Sequence, residues 1–113
     1  MKKGITFGAF DLFHAGHILM LEEARTVCDH LIVAIQTDPS FDRETKNSPV
    51  QTIEEREIQV SACRYVDEVI IYDREADLLE ILNTLDWDVR VLGDEYKDKE
   101  FTGRDKYLEK CYF

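Results

Sequence analysis

Residues 3–27 read KGITFGAFDLFHAGHILMLEEARTV. Lys3 to Phe7 is a short β-capable stretch, Gly8 interrupts it, and Ile18, Leu19, Leu21, Ala24 and Val27 then recur with a helical period. Strand, glycine turn and helix start thus follow one another directly. The rhythm continues downstream. Leu31-Ile32-Val33-Ala34-Ile35 is a continuous apolar run, the pattern of a strand buried on both faces of a parallel sheet. Val69-Ile70-Ile71-Tyr72 and Val89-Arg90-Val91-Leu92 read as two more strands. Between them lie helical periods over Ile53 to Cys63 and over Leu78, Leu79, Ile81, Leu82 and Leu85. Thr52 followed by Glu55 has the form of a capping box and sets the start of the second helix. This alternation predicts a three-layer α/β/α domain with a parallel sheet, whose ligands bind beyond the carboxyl ends of the strands.

The chain has 113 residues, enough for one domain with a modest core. Asp and Glu number 24 against 14 Lys and Arg, giving a net charge of −10. Such a surface repels nucleic-acid backbones and anionic membranes, and no clustered basic face offsets it. A single phosphorylated small molecule stays compatible, because a few local donors outvote the global charge. No apolar run exceeds five residues and no leader pattern opens the chain, so a cytoplasmic protein is expected. Cys28, Cys63 and Cys111 are widely spaced with no C-x-x-C pair, and read as small buried residues. Two polar segments, Thr37 to Gln51 with Pro39, Arg43, Lys46 and Pro49, and Gly93 to Gly103, each follow a strand at its ligand end. They are candidate site loops.

The chemistry concentrates in Gly8-Ala9-Phe10-Asp11-Leu12-Phe13-His14-Ala15-Gly16-His17. His14 and His17 are three apart and share one face of a helical turn. At a helix N-terminus, where free N–H groups and the dipole favour an anion, two imidazoles make a phosphate clamp. Gly8 and Gly16 allow close approach to the backbone. Nucleotidyl transfer needs this arrangement, with imidazoles donating to phosphate oxygens as charge moves toward a leaving pyrophosphate. The histidines could also belong to a metal site with Asp11 as a third ligand, or be merely structural.

Together these segments resemble the cytidylyltransferase-like nucleotidyltransferases with an H-x-G-H signature, and most nearly the glycerol-3-phosphate cytidylyltransferases. The resemblance rests on Met1 to Thr6, Gly8 to His17, Val33 to Ile35 with Thr37-Asp38, Glu55-Arg56, Arg64 to Ile70, and Leu92-Gly93-Asp94. It implies a Rossmann-like fold, CTP as the nucleotide, a phosphorylated small alcohol or sugar as acceptor, release of pyrophosphate, and a homodimer; on a chain of net charge −10, Mg²⁺ is expected as the escort of the triphosphate. It further implies that the backbone of Ala9 and Phe10, with His14 and His17, grips the triphosphate, and that Lys46 reaches its phosphates. Arg64 is similar to the family's arginine near the nucleotide, or else caps the C-terminus of the second helix. Arg56 is expected on the exposed side of that helix, as a nucleotide contact or a surface ion-pair partner. Asp94 resembles an acidic residue lining the nucleotide pocket, or satisfies its own turn. Asp11 orients the histidines or the helix start.

Three departures bear on the acceptor and on activity. The resembled enzymes place a lysine where this chain has Glu44, with Arg43 beside it, and another near Asp77 and Leu78. Their R-T-x-G-I-S-T-like turn and last helix, expected after Lys110, find no counterpart before Phe113. Residues 1–113 therefore read as a single nucleotidyltransferase domain without that signature. An adenylyltransferase using ATP, or a catalytically weak nucleotide-binding module, are the alternatives.

Overall fold

The computed structural model describes residues 1–43 and 45–113, so the comparison drawn at Glu44 lies outside the described residues. Five parallel strands form one sheet: β1 (Lys3–Gly8), β2 (His30–Gln36), β3 (Glu68–Tyr72), β4 (Val89–Val91) and β5 (Cys111–Tyr112), in the order β3-β2-β1-β4-β5. The helices are α1 (Ala15–Arg25), α2 (Ile53–Ser61), α3 (Glu75–Thr84) and the short α4 (Arg104–Tyr107).

The apolar run of β2 is buried from end to end, with Leu31 to Ile35 at most 2% exposed. Successive strand residues face opposite sides, so the run feeds two cores at once. Leu31, Val33 and Ile35 pack with Leu21 and Ala24 of α1 and Val60 of α2, while Ile32 and Ala34 pack with Leu78 and Leu82 of α3, Ile5 and Trp87. Helices on both faces of a parallel sheet make the three layers expected.

Helix boundaries follow their caps more than their apolar residues. Thr52 and Glu55 form the reciprocal pair, with the Glu55 N–H donating to Thr52 Oγ1 at 3.1 Å and the Thr52 N–H to Glu55 Oε1 at 2.9 Å. α1 starts at Ala15, ahead of Ile18, because His14 caps it. α3 starts at Glu75, ahead of Leu78, where the Arg74 N–H donates to Asp77 Oδ2 at 2.9 Å. A polar first turn of this kind carries no apolar period to read.

From β1 the chain winds outward through β2 and β3, then returns to the opposite side of β1 to form β4 and β5. The adjacent β1 and β4 therefore mark the point where strand order reverses, and the loops leaving their carboxyl ends diverge to open a crevice. Gly8 and Val91 end these two strands. No helix among the described residues is long and apolar enough to cross a membrane. The three cysteines are free thiols; Cys28 is buried, whereas Cys63 and Cys111 are only half-buried. Burial pushes the Cys28 and Cys111 thiols up, so they stay protonated at neutral pH.

Candidate active site

A cleft of about 340 Å³ occupies the crevice. Both polar loops wall it, through Pro39, Arg43 and Lys46 on one side and Gly93, Glu95, Tyr96, Phe101 and Thr102 on the other. The turn after β1 supplies Gly8, Ala9 and Phe10, and α1 supplies Gly16 and His17.

That turn is locally strained. Phe10 and Leu12 take the left-handed conformation, with φ of 52° and 50°, at a cost of about 1 kcal/mol each. The intervening Asp11 holds them there. Its carboxylate accepts from the N–H groups of Val50 at 2.8 Å and Gln51 at 2.9 Å, while the Leu12 N–H donates to Gln51 Oε1 at 2.7 Å. Asp11 thus fastens the glycine turn to the segment leading into α2. Partial desolvation pushes its carboxyl up, but the N–H groups of Val50 and Gln51, the Arg56 charge and the Leu12 N–H outweigh this and hold it below its ordinary value. With its oxygens committed to backbone, Asp11 does not complete a metal site. No group of three or more His, Cys, Asp and Glu side chains converges as a metal cage among the described residues.

The two histidines lie with ring centroids 4.0 Å apart. His14 Nδ1 accepts from the Gly16 N–H at 3.0 Å, and His17 Nδ1 accepts from the His14 N–H at 3.2 Å. Each Nδ1 being an acceptor, the neutral rings carry their protons on Nε2, and neither Nε2–H group has a partner among the described residues. Gly16 is required by the first of these contacts, since a Cβ there would meet His14 Cε1 at 2.8 Å. The His17 ring stacks on Phe13 at 5.5 Å, with 4° between the planes, and leans on the buried Phe10 ring. His17 reaches the cleft wall, and His14 stands exposed beside it.

Burial, reinforced by the neighbouring His14 and opposed by Asp11, holds the His17 imidazole below its ordinary 6.5. At neutral pH it is an uncharged donor. Unfolding restores the ordinary value, so between the two values the unfolded chain binds the extra proton and stability rises with pH. The expected result is a melting temperature that falls as the pH drops through about 6.5, with a shallower fall in His17→Asn. Parallel thermal melts of the two proteins measure it; identical slopes would contradict the assignment.

The other predicted site residues divide. Lys46 lies on the cleft wall, and Arg43 joins it. Arg56 is not on an exposed face: it is 2% exposed and donates to four carbonyls. These are Gln51 O from Nε at 3.3 Å, Ala9 O and Gln36 O from Nη1 at 3.0 and 2.6 Å, and Thr37 O from Nη2 at 2.6 Å. It clamps the turn after β1, the end of β2 and the entry to α2, and it does not line the cleft. Arg64 is not brought to the cleft either. Its Nη2 donates to Tyr65 Oη at 2.8 Å and it lines a separate surface depression with Phe13 and Ile18. Asp94 opens a 3₁₀ turn, Asp94–Tyr96, and is exposed, while its neighbours Gly93, Glu95 and Tyr96 face the cleft. Arg90, from the floor of the sheet, also lines the cleft, and its signal in the sequence is a charge inside the apolar β4.

The chain is 39% identical over 99 residues to a glycerol-3-phosphate cytidylyltransferase of Bacillus subtilis, an alignment covering 88% of this chain and 76% of that one. It is 37% identical over 106 residues to the bifunctional protein HldE of Gluconacetobacter diazotrophicus, covering 93% of this chain but only 22% of that longer protein. The crystal structure of a lipopolysaccharide core biosynthesis protein from Thermoplasma volcanium superposes with a TM-score of 0.76 at 26% identity, over 96% of this chain and 85% of that one. The cytidylyltransferase-like family model matches residues 5–110. Strand, strained turn and histidine pair therefore stand in a wider likeness that runs nearly end to end, and the chain belongs to the cytidylyltransferase-like family of nucleotidyltransferases.

Proposed function

We propose that the protein transfers CMP from CTP to a phosphorylated small alcohol or sugar and releases pyrophosphate. The observation that carries this reading is the pair of tautomer-fixed imidazoles at the N-terminus of α1, beside the reversal point of the sheet. An acceptor phosphate oxygen attacks the α-phosphorus, the bond from that phosphorus to the bridging oxygen breaks, and pyrophosphate leaves with the electron pair. The attacking phosphate is already an anion at neutral pH, so no side chain need remove a proton. The work falls to positioning and charge stabilisation. His14 and His17 donate through Nε2–H to phosphate oxygens, and Lys46 and Arg43 bring cationic charge from the opposite loop.

Among the described residues, the carboxylates on the cleft wall are Glu75 and Glu95. This sparse donor set suits a Mg²⁺ held chiefly by the triphosphate, which needs one or two protein carboxylates and no resident cage. Bound there, it neutralises charge on the phosphates. The name of the Bacillus relative supports CTP and a phosphorylated alcohol as the substrate pair. The test is pyrophosphate release from CTP or ATP with Mg²⁺, each with and without glycerol 3-phosphate or a sugar phosphate. Release dependent on both CTP and a phosphorylated acceptor is expected; release from ATP alone would transfer the proposal to adenylyl chemistry, and CTP binding without release under any acceptor would reduce it to a binding module.

A further inference from the structure

β4 runs Val89-Arg90-Val91 and is buried throughout, so its central arginine sits in the sheet among apolar neighbours. Arg90 pairs in register with Ile5 on β1 and Cys111 on β5. Its side chain points to the α3 face, opposite the histidines, with the guanidinium 5.0 Å from the Phe7 ring centroid and 5.1 Å from that of Phe101. It is 4% exposed, yet it lines the cleft together with Tyr72, Glu75 and Thr102.

Its hydrogen bonding is incomplete. Nη1 donates to Thr102 O, whereas the buried Nε has no partner among the described residues. None of the ion pairs among the described residues includes Arg90; Glu75 is engaged by Arg43 at 3.9 Å. The adjacent Tyr72 hydroxyl and Cys111 thiol are pushed up by burial and stay neutral, so neither supplies a counter-charge. Glu75 acts on the Arg90 charge from across the cleft without pairing with it directly, and a buried guanidinium without a directly paired anion is costly to fold around. The surroundings are nevertheless shaped to it: at Gly103, where φ is 88°, a Cβ would meet Arg90 Nη1 at 3.2 Å.

Resting on the nucleotidyl-transfer reading above, we propose that Arg90 is a specificity-determining residue that binds the anionic phosphate group of the acceptor on the α3 side of the cleft. The two faces of the sheet then divide the substrates, with nucleotide phosphates against His14 and His17 and the acceptor's phosphate monoester against Arg90. A guanidinium edge presents donors in a planar fork that matches two oxygens of a phosphate, and the flanking Phe7 and Phe101 rings hold that plane in place. Binding of the anion completes the hydrogen bonding and supplies a directly paired counter-charge.

The test titrates the intact chain, saturated with CTP and Mg²⁺, with inorganic phosphate, glycerol 3-phosphate and glycerol. It follows the Arg90 Nε–H resonance by NMR and the affinities by calorimetry. Both phosphate compounds are expected to shift the Arg90 resonance, and glycerol is not. A response to glycerol 3-phosphate at lower concentration than to inorganic phosphate would assign the site to the ester. In Arg90→Met the affinity for both phosphates should fall about tenfold or more while CTP affinity changes less than about threefold, with Arg90→Lys intermediate. An Arg90 resonance unmoved by either phosphate compound would overturn the proposal, even if Arg90→Met does not fold. So would equal losses of CTP and phosphate affinity in a folded Arg90→Met. Absence of CTP binding would instead count against the nucleotidyl reading, and phosphate-dependent movement of the Arg90 resonance would still be read in the apo protein.

Discussion

Alanine at either His14 or His17 is expected to lower the turnover of pyrophosphate release by about two to three orders of magnitude, the usual cost of deleting a donor aimed at developing phosphate charge. The two losses differ in their side effects. His14 also caps α1 through its bond from the Gly16 N–H, so His14→Ala should lower stability by about 1 kcal/mol as well. His17 contributes its Nδ1 to the His14 N–H and its ring to the Phe10 and Phe13 stack, so its removal loosens the turn it stands on. Gln at either position restores a neutral N–H donor without the ring and should recover only part of the rate. Steady-state rates alongside thermal melts separate chemistry from folding. Near-normal turnover in both alanine variants would remove the histidines from the reaction.

The second large effect concerns stability. Arg56→Met should destabilise the fold by about 3 kcal/mol or more, because carbonyls of Ala9, Gln36, Thr37 and Gln51 lose a charged donor together. Against a domain stability of about 5–15 kcal/mol that is a large fraction. Arg56→Lys keeps the charge but cannot reproduce the planar fork that reaches several carbonyls, so it should rescue only part of the loss. Urea unfolding monitored by circular dichroism measures both. Since the same arginine ties the turn after β1 to the end of β2, nucleotide affinity should fall in parallel with local order. An unchanged midpoint in Arg56→Met would contradict the clamp.

The sequence made the scaffold legible because its strongest signals are periodic and local. The continuous run from Leu31 to Ile35, the helical periods and the Thr52 and Glu55 cap depend on neighbours a few residues apart, and each corresponds to an element of the fold. The histidine turn was equally plain, since strand, glycine and helix start coincide there. What escaped depends on contacts distant along the chain. The Asp11 carboxylate meets N–H groups some forty residues later, and the left-handed Phe10 and Leu12 occur without glycine to announce them.

Arg56 shows how charge can mislead where spacing would not. It lies three residues after Ile53 and four before Val60, on the stripe of α2 that faces the core. Taken by period alone it belongs inside; taken by charge it was expected outside. Arg90 poses the same problem in a strand, where alternation places it on the α3 face whatever its charge. Arg64 shows the reverse case, a position matched by resemblance that the tertiary structure directs toward Tyr65 and away from the cleft.

The most direct test of the central claim is calorimetric titration of the chain with CTP and, separately, ATP, each with Mg²⁺, repeated on His17→Ala. CTP should bind in preference to ATP, and the variant should bind it about tenfold or more weakly while melting as a folded protein. CTP affinity indifferent to His17, or absent in a folded wild-type chain, would contradict the assignment of the histidine turn as the nucleotide phosphate site.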